Sequence, residues 1–591
     1  MQVQRTQQTG RTSILLIVGI GTLALTLRLL AVDYGLPHIY STDEGFEVHR
    51  ALKLGAGAFE FHRVSKGGLF YILFIEYGFI YVFLRAFGAI DSTQDFIYLY
   101  FSNPSVFWLP GRITSAAFGA LACSLLVPLG KRAFQSYFVG VAAALLLAFN
   151  MDHITATINI SVDAPAVAAV IASFLVMLWH QDPRANGQRE YLLLALMLAF
   201  ATMCRLQTAL LILPALLFHV NNVRSQREKT NVRLRHYLAD SRLATFVVAG
   251  AAFYVAGNPG IVLYSADIAR WILSSFITSD IVQVADPEFP QLYQRSDSRL
   301  LFYWEKLFPS NYLGVAFLFF SGLVFALRRP QFREYCLLSF ALPFFLMLVM
   351  YRGEEHIYSR YLLPIAPIVW LYAAYGAFQY IQLVRSRSRL VATAVSAAVI
   401  ALSVPVVLDG VRYVTERNKP DTRTAAYAWF LENVDVGSTI YLEGTGTSAS
   451  PMTVPLQMDP RRFAATSNAT NPNVDFADAR SMYFRQRIRY LESVPTFDLV
   501  PIYNTALLED ALNQGRGDYA VVRAAFLPPF DLKINQDRFP AAYRLVRWLH
   551  DDFTLVQTFA PGEKLQGPTL LVYKRIAYRG SSVPKLSDRG R

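Results

Sequence analysis

Asp43 and Glu44 stand side by side in Tyr40-Ser-Thr-Asp-Glu-Gly45, just past the first apolar run of the chain. A carboxylate at such a place can take a proton from a substrate hydroxyl within hydrogen-bond reach. The plainer alternative is an acidic turn capping the helix that starts near Gly45. Lys66, after His62 and Arg63, opens the stretch Lys66-Gly-Gly-Leu-Phe-Tyr71. An ammonium at headgroup depth can hold a lipid phosphate, or it can simply snorkel to the surface. Arg360 closes a charged run with Arg352, Glu354, Glu355 and His356, and Arg112 opens a later span. Both arginines can face an anionic headgroup, and both can equally be interfacial anchors. His153 and Asp163 flank the segment between two spans, where Asp163-Ala-Pro165 reads either as a site residue or as a helix start with Asp as cap and Pro in the first turn. Together these groups offer a base for a hydroxyl and cations for a phosphate. No Ser/His/Asp triad, His-x-x-x-His pair or phosphate-cradling glycine loop is evident. The scattered His49, His62, His153 and His356 give no support to a zinc site.

The elements that must position these groups are membrane helices. Of the 591 residues, 54% are hydrophobic and 17% charged, against about 25% charged in an average soluble protein. The charged residues cluster between long apolar runs. The net charge of +12 lies largely in short loops beside those runs, where it fixes orientation, and no basic-aromatic patch points to nucleic acid. Cys123, Cys204 and Cys336 lie in or beside apolar segments, which excludes a disulfide framework. Residues 13–32 are too long for a cleaved signal peptide and read as an uncleaved first span.

Candidate spans fall at 12–32, 106–130, 134–151, 162–180, 190–203, 206–220, 243–258, 310–328, 334–351, 361–383 and 389–408, about eleven in all. Basic clusters occur at Arg5/Arg11, Lys131/Arg132, Arg184/Arg189, Arg224 to Arg242, Arg328/Arg329/Arg333 and Arg385/Arg387/Arg389. All six fall on one side, the cytoplasm, if 67–90 does not cross and 190–220 crosses twice. Glu76 and Arg85 within 67–90 also suit an interfacial helix. Arg205 then marks a tight outer turn. The predicted architecture is a membrane domain over 1–408, whose first outer loop, 33–105, carries interfacial helices, and a soluble extracytoplasmic α/β domain over 409–591. Strand-like runs in that tail are 438–442, 498–503, 519–522, 554–559 and 569–573, with helix-like runs at 422–432, 506–514 and 539–550. The Gly/Ser/Thr/Asn/Pro-rich stretch 444–480 reads as a long loop.

In their order along the chain these pieces resemble the GT-C superfamily of lipid-carrier-dependent glycosyltransferases, in the branch of protein O-mannosyltransferases and bacterial lipid A aminoarabinose transferases. The resemblance runs through Asp43-Glu44, Lys66 to Tyr71, Arg112, Asp163-Ala-Pro165, Arg360-Tyr-Leu-Leu-Pro364 and Thr422 to Trp429, and covers most of 12–440. Gly67-Gly68 depart from it, standing where many members have prolines. What it implies is a single displacement with inversion. A polyprenyl-phosphate-linked sugar binds with its lipid between membrane helices. Asp43, supported by Glu44, accepts the proton of an acceptor hydroxyl on a glycan, lipid or protein. Lys66, Arg360 and Arg112 hold the leaving phosphate, and His153, Asp163, Glu355 and His356 line the substrates. No cofactor is certain. A divalent metal stays open, since the adjacent Asp-Glu lacks the spaced carboxylates that some members use.

Two other classes compete. A secondary transporter would need ionisable groups buried in its spans, which are almost absent here. A non-enzymatic cell-envelope scaffold would use the tail to bind a partner. Convergence of Asp43, Lys66 and Arg360 on one cavity favours the transferase over both.

Overall fold

The computed structural model describes residues 2–55, 67–180, 183–227, 233–266, 299–350, 358–385, 388–443, 453–469, 478–502, 505–527 and 540–576. Lys66, Glu355 and His356 lie outside the described residues. Helices dominate up to Arg417 and a mixed sheet follows.

The chain enters through α1 (Gln2–Leu29) and passes to α2 (Thr42–Gly55), α3 (Gly67–Ala86) and α4 (Thr93–Ser102). Ser92 starts α4 as a true cap, its hydroxyl accepting from the Asp95 amide at 3.2 Å. Next come α5 (Ser105–Phe134), α6 (Tyr137–Phe149), α7 (Met151–Ile158), α8 (Asp163–Met177), α9 (Gln188–Cys204) and α10 (Ile212–Arg227). Further apolar helices run over Ser241–Gly257, Leu313–Leu327, Phe332–Met350, Ala366–Arg385 and Arg389–Arg417. Every span expected from the sequence lies on one of these helices.

Among the described residues, six helices are long and apolar enough to cross a membrane, or seven if α6 and α7, bent by 63° at Asn150, form one span. The protein is a polytopic helical membrane protein. The expected eleven is not reached on that measure, because several spans are short. With 15 residues, α8 reaches only about 22 Å at the usual rise, and almost its whole surface is enclosed by neighbours.

One of these six is the 20-residue α3, which the sequence reading placed in the interface. Its packing partners sit at one end of the helices it touches. Leu73 meets Gly111 near the start of α5, and Gly68 meets Cys204 at the end of α9. A Cβ on Gly67 would lie 1.8 Å from the carbonyl oxygen of Gly257, at the end of its helix. This close approach is why glycines stand where the resemblance expects prolines.

The tail carries β1 (Thr439–Leu442), β2 (Asp498–Pro501), β3 (Tyr519–Arg523), β4 (Phe553–Phe559) and β5 (Leu570–Arg575). The sheet order is β2-β1-β3-β5-β4. The first three strands are parallel and β5 is antiparallel to both of its neighbours. Separate apolar clusters cover the two faces, one around Phe430, Leu456 and Phe497, the other around Leu508, Leu545 and Phe526. The expectation of one long loop over 444–480 is corrected: Pro460–Ala469 is helical and a second helix begins at Asp478. Asp459 caps the first of these, accepting from the Arg461 and Arg462 amides at 2.9 and 3.1 Å, with Pro460 in the first turn.

The sheet unit rests on the first loop of the membrane part. The Arg423 guanidinium lies 3.8 Å over the Tyr40 ring, the Tyr40 hydroxyl meets Thr424 Oγ1 at 2.7 Å, and Phe101 on α4 packs against Tyr483 at 5.0 Å.

Candidate active site

The helical period separates the two adjacent acids. On α2, Glu44, Val48 and Ala51 recur at helical spacing and are fully buried. That face packs into the cluster of Leu69, Leu73, Trp108 and Ile160. Asp43 and Glu47, also one turn apart, line a cavity of about 190 Å³.

Glu44 is a structural group. Its carboxylate accepts from Arg112 Nε at 2.7 Å and Nη2 at 2.8 Å, and from the Ile160 amide at 2.9 Å. Arg112 completes its donors on the carbonyls of Val32 and Tyr34, at 3.0 and 2.9 Å. Both side chains have no exposed surface. The expectation that Arg112 holds a donor phosphate is therefore corrected: its guanidinium is buried and four of its five N–H groups are taken by Glu44 and the two carbonyls. The same holds for Glu44 as a catalytic acid.

His153 is also corrected as a substrate ligand. It is fully buried, and Arg28 Nη2 donates to its Nδ1 at 2.8 Å. An imidazole that accepts on Nδ1 carries its proton on Nε2. Arg28 bonds further to Thr157 Oγ1 at 2.7 Å and to the Ala24 carbonyl at 2.7 Å. This knot ties α1 to α7 beside the 63° bend and does not line the cavity.

Asp43 and Arg360, 317 positions apart, form an ion pair at the cavity. Both are partly exposed, 42% and 35%, so the pair is open to incoming groups. Burial works against the charge on Arg360, but Asp43 and the neighbouring tyrosines outweigh it and hold the guanidinium above its ordinary value. A second pair, Asp163 with Arg205, lines the same cavity and is nearly closed to solvent. Asp163 thus does more than begin α8, whose cap position is Val162 with no side-chain bond. The Tyr361 ring lies between the two arginines, 4.6 Å from Arg205 and 6.0 Å from Arg360. Beside them Ser359 donates to Asp152 at 2.8 Å.

The structure therefore brings together Asp43, Asp163 and Arg360 from the expected set and leaves Glu44, Arg112 and His153 inside the bundle. Glu47, Arg205, Gln207 and Tyr361 also line the cavity. Glu47 was legible as the residue one helical turn past Asp43, and Arg205 as a lone charge between two apolar runs. Among the described residues no three His, Cys, Asp or Glu side chains converge as a metal site. Chemically the cavity offers one accessible carboxylate beside a fixed cation, with a second ion pair shaping its wall.

Residues 105–254 match the family described as dolichyl-phosphate-mannose-protein mannosyltransferase. The match covers about a quarter of the chain, including Arg112 and Asp163-Ala-Pro165. That family falls in the branch of protein O-mannosyltransferases and lipid A aminoarabinose transferases that the motifs resemble. No curated protein sequence matches it. Among solved structures, an Archaeoglobus fulgidus oligosaccharyltransferase tethered with an acceptor peptide is similar at 10% identity and TM-score 0.43, over 93% of this chain and 73% of that one. ArnT from Cupriavidus metallidurans bound to undecaprenyl phosphate is similar at 12% identity and TM-score 0.43, over 95% and 97%. The arabinofuranosyltransferase AftD from Mycobacteria is similar at 12% identity and TM-score 0.36, over 95% of this chain and 40% of that one.

Proposed function

We propose that this protein moves a sugar from a polyprenyl-phosphate donor to an acceptor hydroxyl on the extracytoplasmic side of the membrane, with inversion at the anomeric carbon. The observation that carries the reading is the Asp43–Arg360 ion pair at the cavity also lined by Glu47 and the Asp163–Arg205 pair. Asp43 takes the proton of the acceptor hydroxyl as its oxygen attacks the anomeric carbon. The bond from that carbon to the phosphate oxygen breaks, and its electron pair leaves with the polyprenyl phosphate. Arg360, already beside Asp43, meets the growing negative charge. A preorganised cation stabilises that charge more in the transition state than in the bound donor. Lys66 is proposed as the second phosphate cation. Glu44 and Arg112 act by holding α2 against α5, which fixes where Asp43 points.

The side of the membrane is argued from charge. Arg184 donates to the Ser225 carbonyl, Arg242 to that of Asn186 and Arg333 to that of Ala133, at 3.1, 3.1 and 2.6 Å. These bonds join the clusters in two pairs, and the two pairs meet around one cavity lined by Arg132, Asn186 and Arg333, so four basic clusters lie at one end of the bundle. That end is the cytoplasmic one by the excess of Lys and Arg, and the cavity with Asp43 lies at the other.

The test is release of polyprenyl phosphate when the purified full chain is given a panel of polyprenyl-phosphate sugars. Release by the wild type from at least one donor, and not by folded Asp43→Asn, is expected. No release from any donor by folded wild type would overturn the reading.

A further inference from the structure

Helix α8 lines the Asp43 cavity with Asp163 at its start and a second, larger cavity with Met177 at its end. This second cavity has a volume of about 290 Å³ and gathers Arg132 at the end of α5, Met177 at the end of α8, Asn222 on α10 and Arg333 on Phe332–Met350. Asn186, just before α9, and Phe218 complete the part that matters here. The lining is mixed. Met177 and Phe218 give it an apolar part, and the guanidiniums and carboxamides a polar one.

Two features of this lining point to a ligand. Arg132 is exposed, lies 4.8 Å over the Trp179 ring, and has no carboxylate partner among the described residues. Arg333 is anchored by Glu334, which balances its charge, and by the Ala133 carbonyl, so its guanidinium is fixed in place as a hydrogen-bond donor. Asn186 is 3% exposed, and its Nδ2 donates to Asn222 Oδ1 at 3.0 Å. Its own Oδ1 is buried with no hydrogen-bond partner among the described residues. Leaving a buried acceptor unpaired is unfavourable, and a ligand hydroxyl in the cavity would relieve it. The described lining contains no carboxylate to repel an anion.

We propose that this cavity binds a phosphate diester carrying hydroxyls, supplied by the headgroup of an anionic phospholipid in the leaflet opposite the candidate active site. Arg132 and Arg333 meet the phosphate, the Asn186 carboxamide takes a headgroup hydroxyl, and Met177 and Phe218 meet the first carbons of the lipid. Basic pockets between membrane helices at this level are physically suited to anionic headgroups. The site is independent of the transfer reaction.

The test is native mass spectrometry of the purified full chain in zwitterionic detergent. Phosphatidylglycerol, phosphatidylcholine and inorganic phosphate are added in separate arms. Two variants accompany the wild type: Arg132→Gln, which removes the exposed cation, and Asn221→Trp, which fills the cavity from a half-buried lining position. Expected is one phosphatidylglycerol retained by the wild type in preference to phosphatidylcholine. Its retention should fall about fivefold in Arg132→Gln, as expected for one basic side chain at an anionic surface, and be abolished in Asn221→Trp. Equal retention by wild type and both variants would overturn the site. Retention of inorganic phosphate with no preference between the two lipids would overturn the assignment to a membrane lipid.

Discussion

Glu44 gives both carboxylate oxygens to Arg112, at 2.7 and 2.8 Å, in a pair with no exposed surface, while its chain neighbour Asp43 pairs with Arg360 at an open cavity. Adjacent acids thus sit in opposite environments, because successive residues of a helix point about 100° apart. The buried pair sets the geometry and the open pair is left for chemistry.

The two should separate in stability. Glu44→Gln leaves the Arg112 charge buried without its counter-ion, and breaking such a pair typically costs about 3–5 kcal/mol. Asp43→Asn alters a partly exposed pair, for which changes of about 0–1 kcal/mol are usual. A thermal melt in detergent should show Glu44→Gln markedly destabilised and Asp43→Asn close to wild type. Equal melting temperatures for the two variants would contradict the assignment of Glu44 as the structural acid.

Activity should separate the other way. Loss of a positioned general base typically lowers rate about 10²–10⁴-fold, so Asp43→Asn should lose sugar transfer to that degree while still binding donor lipid. The measurement is initial rate with a donor the wild type uses, beside retention of that donor in a pull-down. Near-wild-type transfer removes Asp43 from the role of base.

Arg360 carries a prediction about pH. Its guanidinium is held above its ordinary value by Asp43 and the neighbouring tyrosines, against the effect of burial. It therefore stays charged through the whole alkaline range of an assay, and a loss of activity there does not come from it. In Arg360→Lys the cation becomes an ammonium that titrates near ~10. The rate of this variant should fall as pH rises through that region, with an alkaline limb the wild type lacks. Arg360→Ala should lose about 10²–10³ in rate at every pH, as removal of a preorganised donor does. Superimposable pH profiles for wild type and Arg360→Lys would argue against phosphate contact.

Much of this was legible in the chain. The apolar runs mark the helices, and each of the five strand-like runs in the tail lies on a strand of the sheet. Asp43 and Arg360 were both singled out, although no sequence pattern links positions so far apart. What could not be read was direction. Arg112 opens a span, and nothing in Leu109-Pro-Gly-Arg112 says whether the guanidinium turns out to a headgroup or in to Glu44. His153 has the composition of a site residue, but its ring is taken by Arg28, which lies 125 positions away. The stretch 444–480 was misjudged because small polar residues outweighed the local signal of Asp459-Pro460, which starts a helix.

The topology gives the last prediction. All three native cysteines are buried, so a single introduced thiol reports its own location. Asp435 is exposed in the turn before β1, and Leu234 is exposed in the short helix between α10 and Ser241–Gly257. In the proposed orientation the basic clusters around Leu234 face the cytoplasm, with Asp435 and the Asp43 cavity outside. A membrane-impermeant maleimide added to intact cells should label Asp435→Cys and spare Leu234→Cys until the membrane is permeabilised. The reverse pattern would place Asp43 in the cytoplasm and remove the extracytoplasmic acceptor from the proposed reaction.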